Sequence, residues 1–150
     1  MIDPGPKPPK QEGTIAGHVS NSGGNGGGMD NNGGSPVLTN LTFSANTATD
    51  SGGGLFNEGG STPSLTNVTL YGNSAVNNGG GLYNFDSSPV IRDSILWANT
   101  TAAGAQDYDD GTSATTITYS VVQGGFSGAG NLGIDPLLGD LGYYGGGTPV

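Results

Sequence analysis

Three glycine triplets, at residues 26–28, 52–54 and 79–81, open three successive copies of one motif. The copies read GGGMDNNGGSPVLTNLTFSANTATDS (26–51), GGGLFNEGGSTPSLTNVTLYGNSAVNN (52–78) and GGGLYNFDSSPVIRDSILWANTTAAG (79–104). Their starts lie 26 and then 27 residues apart, and the extra residue is Thr62, in the turn ahead of Pro63. Insertions confined to turns mark units that stack, and a period in this range defines a solenoid.

Helical units are excluded, because Gly, Asn, Ser, Thr and Pro dominate and no apolar run follows a 3.6-residue period. Each copy instead offers a short apolar strand (55–57 in the second), a Gly/Ser/Pro turn (59–63) and a second apolar segment (65–70) that stops at Gly72 and Asn73. That is one coil of a parallel β-helix. The fold class expected is all-β, a β-solenoid of about four to six short coils with 26–27 residues in each.

Alignment of the copies predicts what faces inward. Three apolar columns form the expected core: Met29, Leu55 and Leu82; Leu38, Leu65 and Ile91; Phe43, Leu70 and Leu96. Three polar columns accompany them: Asn31, Asn57 and Asn84; Asn40, Asn67 and Asp93; Asn46, Asn73 and Asn99. An Asn repeated at one corner can donate its amide to the carbonyl of the Asn above while capping a turn, and it tolerates the left-handed region there.

The patterns GGGLxN, PxLTNxTLxGN and ILWANTT resemble the right-handed parallel β-helix repeats of large bacterial surface proteins, the polymorphic outer membrane protein type among them. Residues 43–46 (FSAN) match that type's FxxN motif, whereas 70–73 (LYGN) and 96–99 (LWAN) depart from it at the aromatic. Residues 117–150 are similar to the region leading to the end of the helix in choice-of-anchor Q secreted proteins. The resemblance, which spans residues 26–150, implies right-handedness and an extracellular or bacterial cell-surface location. It implies no particular activity.

Composition narrows the partners. With 31 Gly and only 32% hydrophobic residues, the chain has too little apolar side chain for an ordinary globule, and backbone ladders between coils have to supply the cohesion. Cysteine is absent, so no disulfide framework exists. Twelve acidic residues against three cations, Lys7, Lys10 and Arg92, give a net charge of −9, which repels phosphate backbones and disfavours nucleic acid. No run reaches the roughly 18–20 apolar residues of a membrane helix.

Residues 1–12 are expected to be a Pro-rich extended arm or linker, and residues 13–150 a single β-helix domain. Residues 13–20, with Ile15 and Val19, read as a degenerate first coil; His18, the only histidine, lacks any metal or catalytic company. Residues 105–113 read as a turn-rich insertion before a strand over 115–123. Beyond it, 105–150 form a degenerate terminal coil and end cover, with Leu137, Leu138 and Leu141 expected over the open end. Asp107, Asp109 and Asp110 are the candidates for Ca²⁺, a cation that takes oxygen ligands, but they lack the spacing of known calcium loops. A solvated acidic loop is the competing reading.

If Leu55 and Leu82 point inward, Phe56 and Tyr83 point outward and stack. The same alternation places Tyr71 and Trp97 in a second outward column. Aromatics about 4.8 Å apart suit stacking on sugar rings or burial against another protein. Thr39 with Thr66, and Thr42 with Thr69, begin an array of the ice-binding sort, which Arg92 and Ile95 interrupt. Sequons occur at Asn40, Asn67 and Asn99, all inside the expected ladders.

Lyases and hydrolases on β-helices need a base with a cation, or converging carboxylates. The carboxylates of the coils, Asp30, Asp50, Glu58, Asp86 and Asp93, show no such constellation. The function expected is therefore a non-enzymatic structural or adhesive module, capable of self-association end to end into a fibre or of binding other surface proteins. The alternatives are a glycan-binding or polysaccharide-active β-helix and, last, ice binding.

Overall fold

The computed structural model describes residues 24–102, 104, 107–109 and 112–139. Its regular elements are all strands. The first coil holds β1 (Met29–Asn32), β2 (Val37–Ser44) and β3 (Thr47–Ala48); the second holds β4 (Leu55–Glu58), β5 (Ser64–Tyr71) and β6 (Ser74–Ala75). The third holds β7 (Leu82–Asn84), β8 (Val90–Arg92), β9 (Ile95–Trp97) and β10 (Thr100–Thr101). A partial fourth follows with β11 (Asp107–Asp109), β12 (Thr116–Thr118) and β13 (Val121–Val122).

Each strand pairs in parallel with its counterpart one coil away. One sheet runs β1-β4-β7-β11 and another β3-β6-β10. The third begins with β2 against β5, which then meets β8 and β9, followed by β12 and β13. The protein is a β-solenoid.

The three apolar columns hold their expected register: Met29↔Leu55↔Leu82, Leu38↔Leu65↔Ile91 and Phe43↔Leu70↔Leu96. Ile117 and Val122 extend the last two. A further inward column was not expected. Leu41 and Val68 are buried, and the coils above put Ser94 and Ser120 at their position. Ser94 Oγ accepts from the Val68 N–H at 3.0 Å and donates to the Arg92 carbonyl at 2.7 Å; Ser120 repeats this with the Ser94 N–H (3.1 Å) and the Thr118 carbonyl (2.9 Å). The interior thus turns from apolar to hydroxyl-lined without leaving a polar group unpaired.

Two columns of left-handed residues make the corners of the third sheet. Asn40, Asn67, Asp93 and Tyr119 have φ of 57°, 55°, 51° and 51°, and Ala45, Gly72 and Ala98 have 54°, 63° and 56°. The second corner sends the chain into β3, β6 and β10, short strands whose sequences carry little apolar signal. The middle glycine of each triplet exists because of them: a Cβ on Gly53 would collide with the carbonyls of Ser74 and Gly80. The prolines fit for the opposite reason. Pro36 and Pro63 sit just ahead of a strand, where their carbonyls accept from Ser64 and Val90 (2.9 Å each) and no ladder N–H is required of them.

Residues 105–113 do not form a mere turn, since β11 continues the first sheet against β7 in the register Asp107↔Leu82, Tyr108↔Tyr83 and Asp109↔Asn84. Backbone pairing needs no particular side chain, so an acidic segment can serve. The strand expected over 115–123 is broken at the left-handed Tyr119. Nor do the expected leucines cover the end: Leu137 is 84% exposed and Leu138 is also exposed. Residues 129–132 do that instead, with the Tyr119 N–H donating to the Ala129 carbonyl (2.8 Å) and the Val122 N–H to the Leu132 carbonyl (2.9 Å). Leu141, the degenerate first coil and the Pro-rich arm lie outside the described residues.

Glycine plays two different parts here, and denaturation separates them. Gly72→Ala meets open space at φ 63° and should lose only about 1 kcal/mol, while Ala98→Gly should gain up to about that much by relieving left-handed strain. Gly53→Ala should lose more than about 3 kcal/mol or prevent folding. Urea midpoints for the three variants check this order.

Candidate functional site

The buried Asn columns come first because they place everything on the outside. In the first, the Asn31 side-chain amide donates to Asn57 Oδ1 at 3.1 Å and that of Asn57 to Asn84 Oδ1 at 2.8 Å; Asn84 in turn donates to Thr115 Oγ1 at 2.8 Å. The second uses main chain as well. Asn73 Oδ1 accepts both the Asn46 N–H (3.0 Å) and its side-chain amide (2.9 Å), and Asn99 Oδ1 accepts the same pair from Asn73 at 3.0 Å each. Spare amide hydrogens go one coil down, from Asn73 to the Phe43 carbonyl (2.9 Å) and from Asn99 to the Leu70 carbonyl (3.0 Å).

The third column is different. Asn40, Asn67 and Asp93 stand exposed on the left-handed corner, where Asn67 Nδ2 donates to Asn40 Oδ1 at 2.6 Å and Asp93 lies 3.7 Å from Arg92. Among the three Asn columns left-handed geometry belongs to this one, since the buried asparagines are not among the residues of positive φ. The corner also separates the sequons: Asn40 and Asn67 face solvent, and Asn99 is 1% exposed.

Of the two outward aromatic columns, one is closed at Phe56 and half-buried at Tyr83. Phe56 and Tyr83 do stack, with centroids 5.4 Å apart and planes at 38°, yet Phe56 is only 4% exposed. Gly52 folds so closely over it that a Cβ there would meet Phe56 Cβ at 2.8 Å, and Tyr83 covers it from the next coil. The other column is open. Leu70 and Leu96 are fully buried, so period-two alternation turns Tyr71 and Trp97 outward in direct register on β5 and β9; Tyr71 is 37% exposed and Trp97 half-buried.

Beside them runs the column Thr42, Thr69, Ile95 and Val121, all half-buried. The limb of the sheet after the left-handed corner thus presents Thr69, Tyr71, Ile95 and Trp97 as a patch of mixed apolar and hydroxyl character. The threonine pairs Thr39↔Thr66 and Thr42↔Thr69 are in register, and Arg92 and Ile95 follow them in the third coil.

Several carboxylates serve the stack itself. Glu58 accepts from Asn32 at 2.6 Å, and Asp50 from Asn77 at 2.6 Å and from Ser51 at 3.3 Å. Arg92, the one cation the coils contribute, lies 5.9 Å from the Tyr119 ring centroid. Among the described residues no group of three His, Cys, Asp or Glu side chains converges on one point. Asp107 and Asp109 occupy alternate positions of β11, and Asp110 lies outside the described residues.

Sequence reasoning missed Asn131. Its Oδ1 accepts the Ser120 N–H at 3.0 Å, and its Nδ2 donates to the carbonyls of Ile117 (2.8 Å) and Phe126 (3.2 Å). The available signal was a lone Asn followed by Leu132 in a tract otherwise made of Gly, Ser and Ala. The structure defines an asparagine-laddered β-solenoid with one open aromatic column. Comparison with protein-family models, with curated proteins and with solved structures finds no match.

Inside and outside asparagines should respond very differently to truncation. Asn73→Ala strands the Asn46 donors and the Phe43 carbonyl in the interior and should lose about 3–5 kcal/mol, whereas Asn67→Ala at the exposed corner should lose less than about 1. Chemical denaturation of the two variants measures the contrast.

Proposed function

We propose that this chain is a non-enzymatic structural or adhesive module of an extracellular or bacterial cell surface, a rigid rod whose working surface is the limb carrying Tyr71 and Trp97. The observation that carries the reading is the registered pair itself: the exposed Tyr71 ring next to the half-buried Trp97 ring of the following coil, with Thr69 and Ile95 alongside. Aromatic area held by a rigid backbone makes contact with little loss of conformational freedom.

The resemblance to bacterial surface repeats supports the location. Against an enzymatic role stands the employment of Glu58 and Asp50 as acceptors between coils. No helix among the described residues is long and apolar enough to cross a membrane. End-to-end growth into a fibre is less favoured than lateral contact, because residues 129–132 already occupy part of the C-terminal edge at Ser120 to Val122.

A glycan is the second reading for the partner, favoured by the same two rings, since sugar faces stack on Tyr and Trp. A glycan array and a surface-adhesion assay, each run with Tyr71→Ala and Trp97→Ala, test both readings. Binding should fall at least about tenfold for Trp97→Ala, a loss of roughly 1.4 kcal/mol or more, with little change in melting temperature. Binding that survives both substitutions would move the working surface elsewhere. Acidic polysaccharides should yield no reducing sugar or unsaturated uronate; turnover of either kind would replace this reading with the enzymatic one.

A further inference from the structure

Away from the limb that carries Tyr71 and Trp97, outward polar side chains meet from coil to coil: Asn32 with Glu58 (2.6 Å), Ser35 with Thr62 (2.9 Å), Thr47 with Ser74 (3.2 Å) and Asn77 with Asp50 (2.6 Å). On that limb they do not. Thr42 and Thr69 stand in register, as do Ser44 and Tyr71, yet among the described residues these four hydroxyls and the Trp97 ring N–H bond no protein group. The fold makes no use of them, so they are left to water or to a ligand.

The same limb is free of charge. Residues 41–44, 68–71, 95–97 and 121–123 include no Asp, Glu, Lys or Arg, in a chain of net charge −9. Arg92, the one cation of the coils, lies across the left-handed corner, 3.7 Å from Asp93 and 5.9 Å from the Tyr119 ring centroid. A polyanion would meet no cation here and would be repelled by the rest of the surface. The ring column also continues past Trp97 to Gln123, whose N–H donates to the Leu96 carbonyl (3.0 Å) and whose Oε1 accepts the Ala98 N–H (2.7 Å). Its Nε2 is left to donate.

On the reading of this limb as the working surface, we propose that its occupant is an uncharged glycan chain laid along the solenoid axis. Sugar faces rest on Tyr71 and Trp97, and sugar hydroxyls bond to Ser44, Thr69 and Gln123. Rings in register on successive coils follow one another across the strands, about 4.8 Å apart, so an extended chain that uses both has to run along the axis. Hydroxyls give and accept together, which suits a partner made of hydroxyls. A protein partner fits less well. Stable interfaces engage about 20–30 residues a side, and Ser, Thr and Val are scarce among the side chains that carry their energy. Here two columns of four residues make up the patch, with Ser, Thr and Val prominent in both.

Trp97 is the only tryptophan, so its fluorescence reports this site alone. Titration of the full chain with cellohexaose, xylohexaose and chitohexaose should give a saturable emission shift with at least one of them, and hexagalacturonate at equal concentration should give none. Thr69→Val should weaken that binding about three- to tenfold, while Thr66→Val, on the other limb, leaves it unchanged. No shift with any uncharged hexasaccharide, while surface adhesion still responds to Trp97→Ala, overturns the glycan and seats a protein on an intact working surface. A shift as strong with hexagalacturonate overturns the exclusion of charge, and full affinity in Thr69→Val overturns the hydroxyl contacts. Adhesion indifferent to Trp97→Ala removes the working surface itself, and the glycan with it.

Discussion

Everything in this molecule depends on a buried amide meeting its own kind one coil away. An Asn side chain carries donors and an acceptor together, so identical residues can satisfy one another indefinitely along an axis, which a carboxylate or an ammonium cannot do without unpaired charge. The distances between buried asparagines, 2.8 to 3.1 Å, leave no tolerance for a coil that is a residue out of step at those positions. Asp93 replaces an Asn in the column that faces water. Coil length is thus governed by the amides, and the surplus residue at Thr62 is confined to a turn where a hydroxyl contact with Ser35 at 2.9 Å absorbs it.

Much of this was legible in the sequence because stacking turns three-dimensional neighbours into a fixed spacing. Residues as different as Met29 and Leu82 could be assigned to one column by counting alone. What could not be read was whatever the count does not encode. The strands β3, β6 and β10 are two residues long and polar, and are formed by backbone pairing next to glycines that only the folded chain explains. Leu41 and Val68 give way to Ser94 and Ser120, so that column looked like noise. Burial of Phe56 depends on how Gly52 folds back over it, a tertiary fact with no local signature. The open ring pair was legible, because Leu70 and Leu96 fix by alternation which way Tyr71 and Trp97 point.

The division of labour between inside and outside follows from the same geometry. Inward positions are committed, to Leu and Ile at full burial or to Asn and Ser bonded between coils, and the turns are committed to Gly and Pro by close approach and missing N–H groups. The outward positions of the sheets carry no such demand. Ser44, Tyr71 and Trp97 stand in one column with nothing in common but direction. A solenoid therefore holds its fold and its binding surface on separate sets of residues, and a surface can be rewritten coil by coil without disturbing the ladder beneath it.

Direction has a final consequence. A parallel stack is polar by construction, and in the Asn46 column the polarity is chemical as well as geometric: donors point one way along the axis and acceptors the other. The two ends of such a rod are not equivalent and cannot be closed by the same device. At the low end of this column the unpaired group is a buried oxygen, Asn46 Oδ1, which only a donor can satisfy; in the neighbouring column the high end is a donor, the Ser120 N–H, and Asn131 closes it by presenting its oxygen. A coil joining the lower end has to arrive amide first and one joining the upper end oxygen first, so the ladder that unites the coils also dictates which way round any further coil is accepted.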